Sequence, residues 1–389
     1  MISRVRIGDL GEVITGNTPP RNKPEYYGSH TPFIKATDID ESSKYTYSPE
    51  ESYSEVGYKK YRKSLIPKGS TCVVTIGSIG KKMTMAHCDC FINQAMNAII
   101  PSADYDPEYV YYVVKNNVHR LKSLDSGTAS GRENVSKSAF SNLEIDVIDD
   151  IGTQKRIGSV LSNYDDLIEN NKKQIKLLEE AAQRLYKEWF VDLHFPGHET
   201  TPIVDGVPVG WRRERLVDLV DVQYGYAFDG SLFNTAKNGM PIIRIRNIPS
   251  GNTDDYTTEE ADSQYIVHNG DILVGMDGEF HINSWSGPDA YLVQRTCSFR
   301  PNNSEMKGYL LQAIYEPIKY FENTVVGATV AHLGKKHIDT INVLTCPTNL
   351  YVPLQDYYEQ RQLLLNQNWL LAEARDRLLP KLMSGEIEV

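Results

Sequence analysis

Asp289, preceded by Pro288, and the run Glu305-Met306-Lys307 are the residues whose types and order come nearest to a catalytic centre. Two carboxylates can hold Mg²⁺ while a lysine orients an attacking water, the chemistry of magnesium-dependent nucleases. That reading needs Asp289 and Glu305 on adjacent strands, whereas Pro301-Asn302-Asn303-Ser304 makes Glu305 read as a loop or a helix start. The competing reading is a pair of solvated turn carboxylates. Cys88 and Cys90 form a C-x-C without a second pair at zinc-finger spacing, so they read as ordinary strand cysteines and no metal ligand is assigned. The sequence contains no Gly-x-Gly-x-x-Gly after a strand, no phosphate-binding Gly-x-x-x-x-Gly-Lys-Ser/Thr, no His-Glu-x-x-His and no Gly-x-Ser-x-Gly. No catalytic residue is therefore assigned.

Clustered positive charge is present instead, at Lys59-Lys60-Tyr61-Arg62-Lys63, Lys81-Lys82, Arg212-Arg213, Arg244 with Arg246, and Lys335-Lys336-His337. Such groups bind phosphates, or simply solvate a surface. The net charge of -10 opposes nucleic-acid binding by the chain as a whole, so a DNA reader of this composition is expected to lean on basic partner subunits. With 389 residues and 40% hydrophobic content the chain can bury two cores. Met1 to Asp9 lacks an apolar signal region, and no run approaches the ~18 apolar residues that span a bilayer. Five scattered cysteines suit a reducing compartment. The expectation is a cytoplasmic protein with no membrane partner.

The elements that must position these residues come in two copies. Arg6, Leu10 and Gly16 lead to Pro32, Ile34 and Ile39; Arg215, Leu219 and Gly225 lead to Pro241, Ile243 and Ile248 at the same spacing. Gly69-Ser70 is answered by Gly270-Asp271, Gln94 by Gln294, and Gly127-Thr128-Ala129 by Gly327-Ala328-Thr329. The first copy, residues 1–150, reads as short strands between turn signals, with Pro107 to Leu124 as a helical exception. Each copy is followed by a long amphipathic helix. In one, Ile157, Leu161, Tyr164, Ile168, Asn171, Ile175, Leu178, Ala182, Leu185 and Trp189 recur in steps of four and three, a coiled-coil seam over Gln154 to Phe190; such a helix is about 55 Å long. Asn171 on that seam either fixes register by finding a partner or stays partly exposed. In the other, Gln355 to Met383 carries Tyr358, Leu365, Trp369, Ala372, Leu379 and Met383 on one stripe, with Leu364, Leu371, Leu378 and Leu382 beside it. A stripe that wide predicts packing on the sister helix and on something further. Pro380 is expected to kink or fray its last turn.

Two modules, each with its helix, most economically pair their helices antiparallel. The expected class is α+β: two similar domains separated and joined by two long antiparallel coiled-coil helices with pseudo-two-fold symmetry. The expected division is 1–150, 151–199 (central helix), 200–353 and 354–389 (C-terminal helix). A duplicated reader suits a ligand with two similar ends, of which duplex DNA is the commonest, its half-sites about 34 Å apart per turn.

The segments GNTPPRNKPEYYGSHTPFIKATDI (Gly16 to Ile39), NQAMNAIIP (Asn93 to Pro101), NKKQIKLLEEAAQRLYKEWF (Asn171 to Phe190), GVPVGWRRERL (Gly206 to Leu216) and LAEARDRLLPKLMSGEIEV (Leu371 to Val389) together resemble the DNA-specificity subunit of Type I restriction-modification systems. The resemblance implies two target-recognition domains, each reading half of a bipartite duplex site, and helices that dock two methyltransferase (modification) subunits. Those partners would carry S-adenosylmethionine, and restriction/translocase subunits would use ATP and Mg²⁺; no cofactor is expected in this chain. The alternative is a Mg-dependent nuclease or a single-chain DNA-modifying enzyme. Where the first module has Thr18-Pro19-Pro20-Arg21, the second has Tyr224, Tyr226 and Phe228 nearby.

Base edges are read by side chains with matched donors and acceptors: Arg or Lys for guanine, Asn or Gln for adenine, Asp or Glu for cytosine. The candidates are Arg21, Lys23, Lys35, Lys81, Lys82 and Arg132 in the first module, with Thr18, Ser78 and Thr128 for phosphates, and Tyr224, Tyr226, Arg244, Arg246, Asn247, His281, Asn283, Lys335 and Lys336 in the second.

Overall fold

The computed structural model describes residues 1–127, 131–324 and 331–389. It resolves into two compact units, Met1–Glu169 with Leu371–Val389, and Asn170–Leu370. Each unit is one globular module closed by part of both long helices.

The first module is built on a four-stranded antiparallel sheet ordered Gly11–Thr15, Met96–Pro101, Thr71–Val74, Met83–Met85. A smaller sheet joins Glu51–Tyr53, Tyr27–Ile34 and Phe91–Ile92, the last two parallel with Phe33 opposite Phe91. Ile2–Arg6 pairs with Glu144–Ile148 and brings the two ends of the module together. Val73, Ile99, Tyr109, Val113, Phe140 and Ile145 are buried in its core.

The second module repeats this order. Val220–Tyr224, Thr296–Pro301, Ile272–Gly275 and Ile282–Ser284 form the four-stranded sheet. Met240–Ile243 runs parallel to Ala290–Leu292, and Arg212–Arg215 pairs with Asn342–Thr345. The repeated Gly16 and Gly225 have one cause. A Cβ at either would stand 2.1 Å from a carbonyl oxygen, of Asn93 or Val293 respectively, so only glycine lets the two backbone segments cross. The repeat read from the sequence is thus a repeat of topology, in an α+β fold.

The helix expected over Pro107 to Leu124 is an α-helix to Asn117, with Asp106 capping its first turn, and then a tighter 3-10 turn through Leu124. The central helix spans Ile151–Tyr186 and is followed by a wider π turn, Lys187–Val191. The C-terminal helix spans Val352–Met383. Pro380 lies within it and the helix continues past, ending where Gly385 takes a positive φ of 71°. No described helix is long and apolar enough to cross a membrane.

In both units the two helices run antiparallel. In the second, Asn171 Nδ2 donates to Gln367 Oε1 at 2.9 Å and Arg361 Nε to Glu179 Oε1 at 2.7 Å, so numbers rise on one helix as they fall on the other. Asn171 is buried and partnered, which selects the register-fixing reading of that residue. Ile157, Leu161, Ile168, Ile175 and Ala182 are buried on the central helix, and Tyr164, Leu178, Leu185 and Trp189 half-buried. In the first unit Leu379, Leu382 and Met383 enter the core, with Leu378 packed against it. Leu364, Leu365, Trp369 and Leu371 are half-buried. The wide stripe of the C-terminal helix therefore serves a module body as well as the sister helix.

Buried charge lies between these apolar positions. In the first unit Arg375 pairs with Asp165, side chains 7% and 2% exposed, and Tyr112 donates its hydroxyl to Asp165 at 2.5 Å. Lys44, its side chain fully buried among Tyr45, Tyr111 and Tyr112, reaches Glu108 and Ser162. In the second unit Arg361 donates to Ser284 Oγ and Asn283 Oδ1, both at 2.7 Å. An apolar-only reading of the helix passes over them. The signal was present: stepping by seven from Arg361 reaches Asn368 and Arg375, three residues after Tyr358, Leu365 and Ala372, which is the other half of a coiled-coil seam.

Candidate nucleic-acid interface

The hairpin joining Thr71–Val74 to Met83–Met85 carries Ser78 and Lys81, both exposed, at a tip that turns on Gly77 and Gly80 with positive φ. Gly77 N donates to Glu133 O at 3.0 Å, which clips this tip to the segment carrying exposed Arg132. In the second module the matching tip, Asp277–Phe280, is clipped to Ala331 by Gly278 N at 3.1 Å and bridges to His332. Exposed Lys335 and Lys336 follow. One end of each module thus gathers the hairpin tip and a segment with exposed basic side chains, Arg132 in the first and Lys335 and Lys336 in the second. Thr128 lies outside the described residues.

Several candidates are already engaged. Arg21 donates to Glu51 at 2.8 Å and lies over the Tyr27 ring at 4.9 Å. Lys35 contacts Glu50 and stands 3.6 Å from Glu51. Those hydrogen bonds hold the Arg21 and Lys35 pKa values above their ordinary range. Lys23 stands 3.8 Å from Glu25, and Lys82 Nζ donates to Ala36 O at 3.3 Å. The Thr18 hydroxyl contacts Gln94 Oε1.

In the second module Arg244 lies 5.6 Å over the Phe233 ring, and Arg246 forks onto Asp255 through Nε and Nη2 at 3.1 and 2.5 Å. Tyr226 is exposed and packs edge-on to Phe228, Tyr224 is half-buried in its strand, and His281 stands 3.6 Å from Glu279. Asp277 accepts from Arg295 and from His332 at 2.5 Å; burial raises its pKa, but these two donors outweigh burial and leave it below the ordinary value.

Two candidates are turned inward. Asn247 is buried and caps a tight turn, its Oδ1 accepting from Arg244 N at 2.8 Å. Asn283 Nδ2 donates to the carbonyls of Ile248 and Pro249 at 3.0 Å each, and its Oδ1 receives Arg361. Both amides are used by the protein's own chain, which leaves no donor-acceptor pair for a base edge. The sequence shows residue type but not which way a side chain faces.

The nuclease arrangement is absent. Asp289 precedes the strand Ala290–Leu292 of one sheet and lies 2.9 Å from His268 Nδ1; Glu305 lies in a 3-10 turn after Thr296–Pro301 of another sheet, its N–H bonded to Asn303. The carboxylates are not on adjacent strands. Among the described residues no group of three or more His, Cys, Asp or Glu could hold a metal ion.

Comparison with known proteins gives a consistent result. The chain is 27% identical over 99% of its length, and 93% of the relative's, to the Type I restriction enzyme MjaIX specificity subunit of Methanocaldococcus jannaschii. It is 30% identical to the EcoBI specificity subunit of Escherichia coli over 45% of this chain and 33% of that one. In fold it matches the S subunit of a Type-I restriction-modification system from M. genitalium, with a TM-score of 0.57 and 16% identity, over 98% of this chain and 96% of that one. The family model for the Type I restriction modification DNA specificity domain matches residues 3–180 and again 208–349. With both copies matched, the chain belongs to the Type I restriction-modification DNA-specificity family.

Proposed function

We propose that this chain is the sequence-specific DNA-binding subunit of a Type I restriction-modification complex. The observation that carries this reading is the single strand order repeated in two modules of a DNA-specificity family, each gathering at one end a glycine-turned hairpin tip and a segment with an exposed basic side chain. Each module reads one half of a bipartite duplex site and the helices set the spacing. Exposed Lys81, Lys335 and Lys336 meet phosphates or bases without rearrangement, whereas Arg21, Lys35 and Arg246 first exchange a carboxylate for a phosphate.

The helices also dock two methyltransferase subunits. Leu177, Leu363 and Leu370 of the second unit are 65%, 67% and 57% exposed, and Leu167 of the first is 50% exposed. Large apolar side chains on an already paired helix call for a further partner. The methylation chemistry with S-adenosylmethionine, and translocation and cleavage with ATP and Mg²⁺, belong to the partner subunits, and this chain is non-catalytic.

The test is direct. Purified alone, with all three cofactors supplied, the chain neither methylates nor cuts DNA; mixed with its methyltransferase it gains tight binding to one bipartite duplex. Cutting by the isolated chain that disappears in Asp289→Ala or Glu305→Ala would overturn the proposal.

A further inference from the structure

Gln94 and Gln294 occupy the same turn in the two modules. In the first, Phe91–Ile92 turns through Asn93-Gln94-Ala95 into Met96–Pro101; in the second, Ala290–Leu292 turns through Val293-Gln294-Arg295 into Thr296–Pro301. The backbone around both is clamped alike. Gly16 N donates to Met96 O and Gly225 N to Thr296 O, each at 3.0 Å, while Asn17 N donates to Ile92 O and Tyr226 N to Leu292 O, each at 2.9 Å. The glycine crossings described above lock the residue before each glutamine. The flanking residues differ between the copies, Asn93 against Val293 and Ala95 against Arg295, yet glutamine stands at the centre of both turns and is exposed in both.

Each turn also sits beside the hairpin tip of its module. Thr75 N donates to Ala95 O at 2.8 Å, and Met276 N to Arg295 O at 2.9 Å. Each glutamine is therefore held on hydrogen-bonded backbone next to the hairpin tip of its module, the tip carrying Ser78 and Lys81 in the first and Asp277 and Glu279 in the second. The Gln94 carbonyl accepts the Thr18 hydroxyl, which orients the amide and leaves its NH₂ and a second lone pair of the oxygen available. Ala227 stands where Thr18 does, so Gln294 lacks that support.

A carboxamide on a fixed backbone presents a donor and an acceptor side by side, which match N7 and the N6 amino group of adenine in the major groove. We infer that Gln94 and Gln294 each read one paired adenine, Gln94 in the half-site bound by the first module and Gln294 in the half-site bound by the second. This rests on the DNA-specificity reading above and adds to it a base and a residue.

The test uses the chain in complex with its methyltransferase. DNA methylated by the wild-type complex is sequenced to define the bipartite motif. Duplexes of that motif are then made with 7-deazaadenine, which keeps pairing but lacks the N7 acceptor, at each adenine in turn. The wild-type complex loses about 5- to 150-fold in affinity at one adenine of each half-site, the range of a bidentate contact. Gln94→Ala abolishes that sensitivity, and relaxes the methylated motif, in one half only; Gln294→Ala does so in the other half only. Each variant thereby serves as the other's control for folding, and Gln94→Glu, which loses the donor, behaves as Gln94→Ala does. Variants that keep the wild-type motif and the wild-type response to 7-deazaadenine overturn the inference while leaving the subunit's role intact. A wild-type complex that methylates no bipartite motif removes the DNA-specificity reading, and the inference with it.

Discussion

Replacing Arg375 by Met tests how the first unit is held together. Asp165 is 2% exposed and has two partners, the Arg375 guanidinium and the Tyr112 hydroxyl. Removing the arginine strands a buried carboxylate, a change that costs about 3–5 kcal/mol. Asp165→Asn is milder, because Arg375 keeps Asp376 at 2.8 Å on the solvent side; its cost is about 1–3 kcal/mol. The double variant Asp165→Leu/Arg375→Met removes both charges and recovers most of the loss, and adding Tyr112→Phe recovers the remainder, since the hydroxyl then has no acceptor to miss.

The assay exploits an asymmetry of composition. All four tryptophans, Trp189, Trp211, Trp285 and Trp369, fall in the second unit, Asn170–Leu370. In urea, tryptophan fluorescence follows that unit while far-ultraviolet circular dichroism follows both. Arg375→Met shifts the circular-dichroism midpoint downward and leaves the fluorescence midpoint in place. The reasoning fails if the single variant lies within about 1 kcal/mol of wild type, or if the double variant is no more stable than the single one.

Three further outcomes follow from the packing. Gly225→Ala places a Cβ 2.1 Å from Val293 O, so it destabilises the second unit by about 1–3 kcal/mol, read as an earlier fluorescence midpoint; an unchanged midpoint contradicts the crossing described here. Asn171→Leu replaces a buried amide on an apolar seam and raises that same midpoint by about 1 kcal/mol, while a drop would show that the bond to Gln367 outweighs desolvation. One heptad inserted into both long helices lengthens the unread gap of the methylated motif and leaves both half-sites unchanged; altered half-site bases would mean that the helices do not set the spacing.

The features legible in the sequence are those imposed by backbone geometry. Gly16 and Gly225 recur because no other residue permits the crossing, and the steps of four and three on the central helix follow from its turn, so the repeat and both helices could be read directly. Direction of side chains was not legible. Asn283 and Asn247 have the chemistry to read a base, yet the carbonyls of Ile248 and Pro249 and the turn at Arg244 claim them. Arg361 and Arg375 share the seven-residue step of the seam, yet their partners Glu179 and Asp165 are set only when the helices meet, because a charge on a seam is defined by what faces it. Lys44 lies in a polar stretch whose only hint is the tyrosine beside it.

The first unit combines the start of the chain with its last residues, Leu371–Val389, and Leu379, Leu382 and Met383 complete the core laid down by Ile7, Leu10 and Val13. The second unit is a single uninterrupted stretch. Synthesis therefore makes the body of the first module before the second, but supplies Leu379, Leu382 and Met383 of its core only after the whole second unit has been made. A chain broken off near position 370 would carry an intact second unit and a first module whose core lacks these three side chains.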